Sequence, residues 1–166
     1  MTQEKQEVAQ RLLELVALLE YPTPEIADRC DLGFEQLESR YIRLFVNDLG
    51  GVAVPPYAGC FLKNDRLEFM SHFSGFCLEH GIAIDSAQPP DYIPMMMEVL
   101  VMLLNSDAQR EDLLSLTADY YRDWPQEFAA ALRQYDDVGI YKIVAEEFCQ
   151  ILQEIDAEDS TDSLHG

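Results

Sequence analysis

Val8-Ala9-Gln10-Arg11-Leu12-Leu13-Glu14-Leu15-Val16-Ala17-Leu18-Leu19-Glu20-Tyr21-Pro22 decides the fold class. Val8, Leu12, Leu15 and Leu19 recur at the spacing of one helix face, and Tyr21-Pro22 ends the pattern. A first helix over about 3–20 follows. Working outward, Thr23 before Pro24 reads as a cap with proline at the first helical position, opening a short helix that reaches about Asp31. Phe34, Leu37, Tyr41, Leu44 and Phe45 form the stripe of a third helix that stops near Asn47. Leu67, Met70, Phe73, Phe76 and Cys77 mark a fourth, closed by Gly81 after His80. A fifth runs from about Asp91 to Asn105, and Ser106-x-x-Gln109 reads as a capping box that opens a sixth with Leu113, Leu116, Tyr120 and Tyr121. Asp123-Trp124-Pro125 breaks that helix and starts the next, lined by Phe128, Leu132 and Tyr135; Ile140, Val144, Phe148, Ile151 and Ile155 line the last.

Two stretches resist helical reading. Residues 48–59 carry paired glycines and paired prolines, and residues 82–90 end in Pro89-Pro90. The only strand-like run, Val52 to Val54, leads straight into Pro55-Pro56. The expected architecture is all-α: one bundle-like domain of about eight helices over 1–155. Asp156, Glu158, Asp159 and Asp162 without a base predict an acidic, disordered tail over 156–166.

The 166 residues hold 31 Asp and Glu against 11 Lys and Arg, a formal net charge of -20. Such a chain repels phosphate and anionic lipid, which argues against nucleic-acid binding and points to cationic partners. With 48% hydrophobic residues it is far too apolar for a disordered acidic chain. Cys30, Cys60, Cys77 and Cys149 show no paired spacing, and His72, His80 and His165 make no ligand set with them. Reduced, mostly buried thiols, a cytoplasmic location and no metal or other cofactor are expected. The polar N-terminus does not resemble a secretory signal, and the longest apolar stretch, Ile93 to Leu104, contains Glu98 and is too short to insert in a membrane. No phosphate loop, nucleophile elbow, H-E-x-x-H or E-x-x-H pair is present, so no enzymatic activity is expected.

Gln88-Pro89-Pro90-Asp91-Tyr92-Ile93-Pro94-Met95-Met96-Met97-Glu98 carries the strongest functional signal. On a helical wheel extended back to Asp91, which is read as a helix cap, Ile93, Met96, Met97, Leu100 and Leu104 share one side. Asp91, Met95, Glu98 and Met102 share the other. Two carboxylates about 10 Å apart, with flexible thioethers between them, suit a segment that is both cationic and apolar. Core filling by the same methionines is the plain alternative. Pro55-Pro56-Tyr57 and Trp124-Pro125 have plain alternatives too, a rigid turn and a buried helix junction.

These same residues carry a resemblance. Tyr41-x-x-Leu44-Phe45, Pro55-Pro56-Tyr57-Ala58, Pro89-Pro90-Asp91-Tyr92 and Trp124-Pro125-x-x-Phe128 resemble, in order, motifs of the TorD/DmsD/NarJ family of redox-enzyme maturation chaperones. Tyr92 stands where that family usually has histidine, and Gly59 where it has serine. The Asp91-Tyr92-Ile93-Pro94 run looks most like the nitrate reductase branch and Pro55-Pro56-Tyr57 more like the TorD/DmsD branch, leaving the client open.

The resemblance implies a cytoplasmic chaperone that binds the N-terminal segment of an apo molybdenum-containing oxidoreductase. That segment is commonly a twin-arginine signal peptide or its remnant, held until the cofactor is inserted. It implies a peptide site at Pro55, Pro56, Tyr57, Pro89, Asp91 and Tyr92, to which the wheel adds Met95 and Glu98. The rival is an acidic helical adaptor that docks on a basic folded surface. A monomer is favoured, and a dimer swapped through residues 81–90 is the alternative.

Overall fold

The computed structural model describes residues 3–47, 51–136 and 139–165, with side chains described as far as Ala157. Among the described residues, eight α-helices follow the hydrophobic periods: α1 Gln3–Leu19, α2 Pro24–Arg29, α3 Phe34–Tyr41, α4 Arg66–Glu79, α5 Ile93–Leu104, α6 Arg110–Tyr120, α7 Trp124–Tyr135 and α8 Ile140–His165. Among the described residues there is no β-strand, and the chain is all-α as the sequence predicts. Several ends are set by local chemistry. Thr23 accepts the Ile26 amide at the start of α2, and Gly81, at φ 66°, takes the left-handed turn after α4 that a side chain would resist.

α5 is the central rod. Ten of its twelve residues are buried, all but Glu98 and Met102, and α1 lies along it. α1 also packs on α8, so the halves on either side of residues 81–90 close within one chain. Trp124 is fully buried, donating its indole N–H to the Tyr120 carbonyl at 2.7 Å and stacking on Phe148 at 5.7 Å. The buried-junction reading of Trp124-Pro125 therefore holds.

α3 continues into a π-helical turn, Ile42–Val46, in which Asn47 donates to the Ile42 carbonyl five residues back. The Leu44 carbonyl accepts the Val54 amide at 2.8 Å, which anchors the following proline segment to the end of α3. Asp48, Leu49 and Gly50 of the expected loop lie outside the described residues. A short 3-10 turn, Ala58–Phe61, leads toward α4.

Two expectations are corrected. α5 begins at Ile93, and Tyr92, not Asp91, is its cap residue, with an extended backbone (ψ 119°). The capping box of α6 is Gln109 with Asp112. Ser106 instead closes the end of α5, donating to the Leu103 carbonyl at 2.7 Å and accepting the Ala108 amide at 3.1 Å. α8 is described as far as His165. The apolar stripe stops at Ile155, but nothing in Asp156-Ala157-Glu158-Asp159 breaks a helix as proline or glycine would. Of the four thiols, Cys77 and Cys149 are buried, Cys30 is partly buried and Cys60 is exposed.

Candidate functional site

The two proline motifs meet. Tyr57 and Tyr92 form an isolated antiparallel bridge. The Ala58 amide donates to the Asp91 carbonyl at 2.8 Å, and the Ile93 amide donates to the Pro56 carbonyl at 2.9 Å. Proline's lack of an N–H costs nothing here, because Pro56 contributes only its carbonyl. The two tyrosine rings lie 5.9 Å apart. The Tyr92 amide bonds back to the Pro89 carbonyl at 3.0 Å, so Pro89 supports the bridge from a turn, while Pro55 is half-buried before it.

The bridge explains why the wheel misplaced Asp91. Drawn out of helical register, its side chain turns inward and is 0% exposed. Its Oδ2 accepts the Gly59 amide at 3.0 Å and the Arg66 Nε at 2.8 Å, and its Oδ1 accepts the Arg66 Nη2 at 3.0 Å. The fork is bidentate, the geometry in which guanidinium and carboxylate pair best. Arg66 is 37% exposed and also lies 4.9 Å from the Tyr57 ring centroid. The Asp91 hydrogen bond, opposed by burial, holds the guanidinium above its usual pKa. A Cβ at Gly59 would collide with the Arg66 Cγ and sit 2.7 Å from Asp91 Oδ2, so the motif position that departs from serine is where the Arg66 stem crosses.

Met95 and Glu98 belong to a different feature, joined to the bridge through Tyr92. Glu20, Asp85, Gln88, Tyr92, Pro94, Met95 and Glu98 line an open groove of about 260 Å³ at the start of α5. Met95 lies at its floor, 5% exposed, while Glu20 and Asp85 stand exposed at its edges. No basic residue lines it. Glu98 is half-buried, and its carboxyl titrates above the ordinary range, chiefly because burial disfavours the anion, with Glu20 and then Asp85 adding repulsion. Tyr92 shares a side-chain hydrogen bond with Tyr41, and burial pushes both phenols up.

Of the eight expected site residues, Pro56, Tyr57, Asp91 and Tyr92 thus meet at the bridge, and Tyr92, Met95 and Glu98 meet in the groove. Asp91 does not line the groove with Glu98. Arg66, Glu20 and Asp85 were missed. One signal for Arg66 existed: a cation at the first position of α4 sits at the positive end of the helix dipole, which favours an arginine only if something else holds it there. Glu20 and Asp85 left no such trace. Among the described residues, no three His, Cys, Asp or Glu side chains gather as a metal ion would require, and no helix is long and apolar enough to cross a membrane.

No curated protein matches the chain. A solved structure from Archaeoglobus fulgidus, described as a redox enzyme maturation protein, shares the fold with a TM-score of 0.65 and 21% identity, over 92% of this chain and 96% of that one. The sequence profile of the family described as the nitrate reductase delta subunit matches residues 2–136, a span that contains both proline motifs, Arg66 and the whole groove, and the chain belongs to that family of NarJ/TorD-type chaperones.

Proposed function

We propose that the chain is a maturation chaperone, not an enzyme, that binds the N-terminal signal or leader peptide of an apo molybdenum-containing oxidoreductase in the cytoplasm and withholds it until the cofactor is in place. One observation carries the reading: three carboxylates, Glu20, Asp85 and Glu98, converge on a groove floored by Met95 and flanked by Tyr92 and Pro94, with no lining base. Like charges so placed raise one another's energy, and an arriving guanidinium relieves that repulsion. Methionine and tyrosine beside them supply adaptable apolar contact for the segment that follows the cation. The packing of α1 on both α5 and α8 within one chain supports a single chain as the binding unit.

The test is a fluorescence-anisotropy titration with a labelled peptide of two adjacent arginines followed by an apolar run. Binding is expected to fall when the arginines become glutamines and also when the apolar run becomes polar. An acidic adaptor docking on a basic folded surface would respond to the first change only, and that result would overturn the signal-peptide reading.

A further inference from the structure

We infer that Arg66 is a positioning residue of the groove, and that Asp91 acts on a bound peptide through Arg66 and the bridge rather than by touching the peptide. This rests on the reading of the groove as the peptide site.

Asp91 is completely buried, and its two oxygens take three hydrogen bonds from within the chain. A carboxylate so committed has a guanidinium already, and removing that partner would strand a buried charge. Arg66 is the side chain that holds both sides of the bridge. Its guanidinium grips Asp91 beside Tyr92 and faces the ring of Tyr57 opposite. The backbone of Asp91 is bonded to Ala58, and the next residue, Tyr92, caps α5 and lines the groove with Pro94 and Met95. Arg66 therefore sets where the groove wall stands without lining it. The position of α4 is tied in by the same contact, because Arg66 is its first residue.

The double variant Arg66→Gln/Asp91→Asn tests this. It removes both charges together, leaves no unpaired buried ion and keeps the net charge of the chain. With the two-arginine peptide as probe, the double variant should bind roughly tenfold more weakly, the scale of coupling within one hydrogen-bonded network. Its dependence of affinity on salt should match the parent, whereas Glu98→Gln should flatten that dependence, since only a charge facing the peptide contributes to it. Arg66→Lys, which keeps a cation but not the fork, should fall between parent and double variant.

Flattened salt dependence in the double variant would show that Asp91 meets the peptide directly, and tighter binding would show that Arg66 competes with it. Either result overturns the inference. Amide hydrogen exchange supplies an arm that needs no ligand. Ala58, Gly59 and Ile93 should exchange faster in the double variant while the buried part of α8 is unchanged. Unchanged protection at those three amides would also overturn it. If the parent fails to bind the peptide, the functional reading falls, and the exchange arm still decides whether Arg66 holds the bridge.

Discussion

His80 Nε2 lies 3.4 Å from Asp112 Oδ1, joining the end of α4 to the first turn of α6. Both charges sit at the favourable ends of their helix dipoles. His80 Nδ1 lies 2.9 Å from the Phe76 carbonyl, and its ring stacks on Phe76 at 4.0 Å. That carbonyl contact is the main reason the imidazole is held above its usual pKa, with burial opposing and Asp112 and then Glu79 adding to it.

A raised histidine pKa fixes the sign of the pH effect. The stabilisation is fully present below the unfolded value of about 6.5 and is lost as pH rises through the folded value. Thermal melts of His80→Gln should therefore fall below the parent at acidic pH and converge with it in alkaline buffer. A difference that grows with pH would contradict the clamp between α4 and α6.

Glu98→Gln should separate stability from binding. The folded pKa of Glu98 is raised, so its anion costs stability at neutral pH, and that cost disappears as pH falls through the folded value. The variant should melt higher than the parent at pH 7 by about 0.5 kcal/mol, the usual gain from relieving surface charge repulsion. It should also bind the two-arginine peptide more weakly. In the parent, peptide binding should weaken on acidification as Glu98 takes up a proton, and calorimetry in buffers of different ionisation enthalpy should detect proton release on binding near that pH.

Gly59→Ala places a Cβ against the Arg66 stem and Asp91 Oδ2. Backbone conformation is not the obstacle, so the cost is steric, about 1–3 kcal/mol as for other overpacked sites. Combining it with Arg66→Gln should give less than the sum of the two losses, because both act on one contact. Additive melts would show that the crowding is relieved elsewhere.

Asp136 is 5% exposed, and its Oδ2 accepts the Tyr141 and Lys142 amides at 2.8 and 3.0 Å, satisfying two donors in the first turn of α8. Asp136→Ala should destabilise by about 1–2 kcal/mol in denaturant titrations, as loss of a helix cap does, and Asp136→Asn, which keeps an acceptor, by less. An Asn variant as damaged as Ala would indicate that the negative charge, not the acceptor, secures the helix.

Sequence by itself determined the helices and where most of them start and stop. Apolar spacing, Thr23-Pro24, Gly81 and Trp124-Pro125 act within a turn or two of chain, and a helix is a local structure whose signals lie in neighbouring residues. The two proline motifs were also legible as special, since consecutive prolines exclude the helix around them. Tertiary structure alone decided what those motifs do. Asp91 leaves the helical wheel because Ala58 and Pro56 claim its neighbourhood for a bridge, and its carboxylate is spoken for by Arg66, a residue in another helix with no periodic link to it. Glu20, Asp85 and Glu98 come from the residue after α1, a turn and the exposed side of α5, and their shared repulsion exists only once α1 lies along α5. Long-range contact leaves no spacing in the chain to read, and charge density in an acidic sequence is too common to mark three carboxylates out.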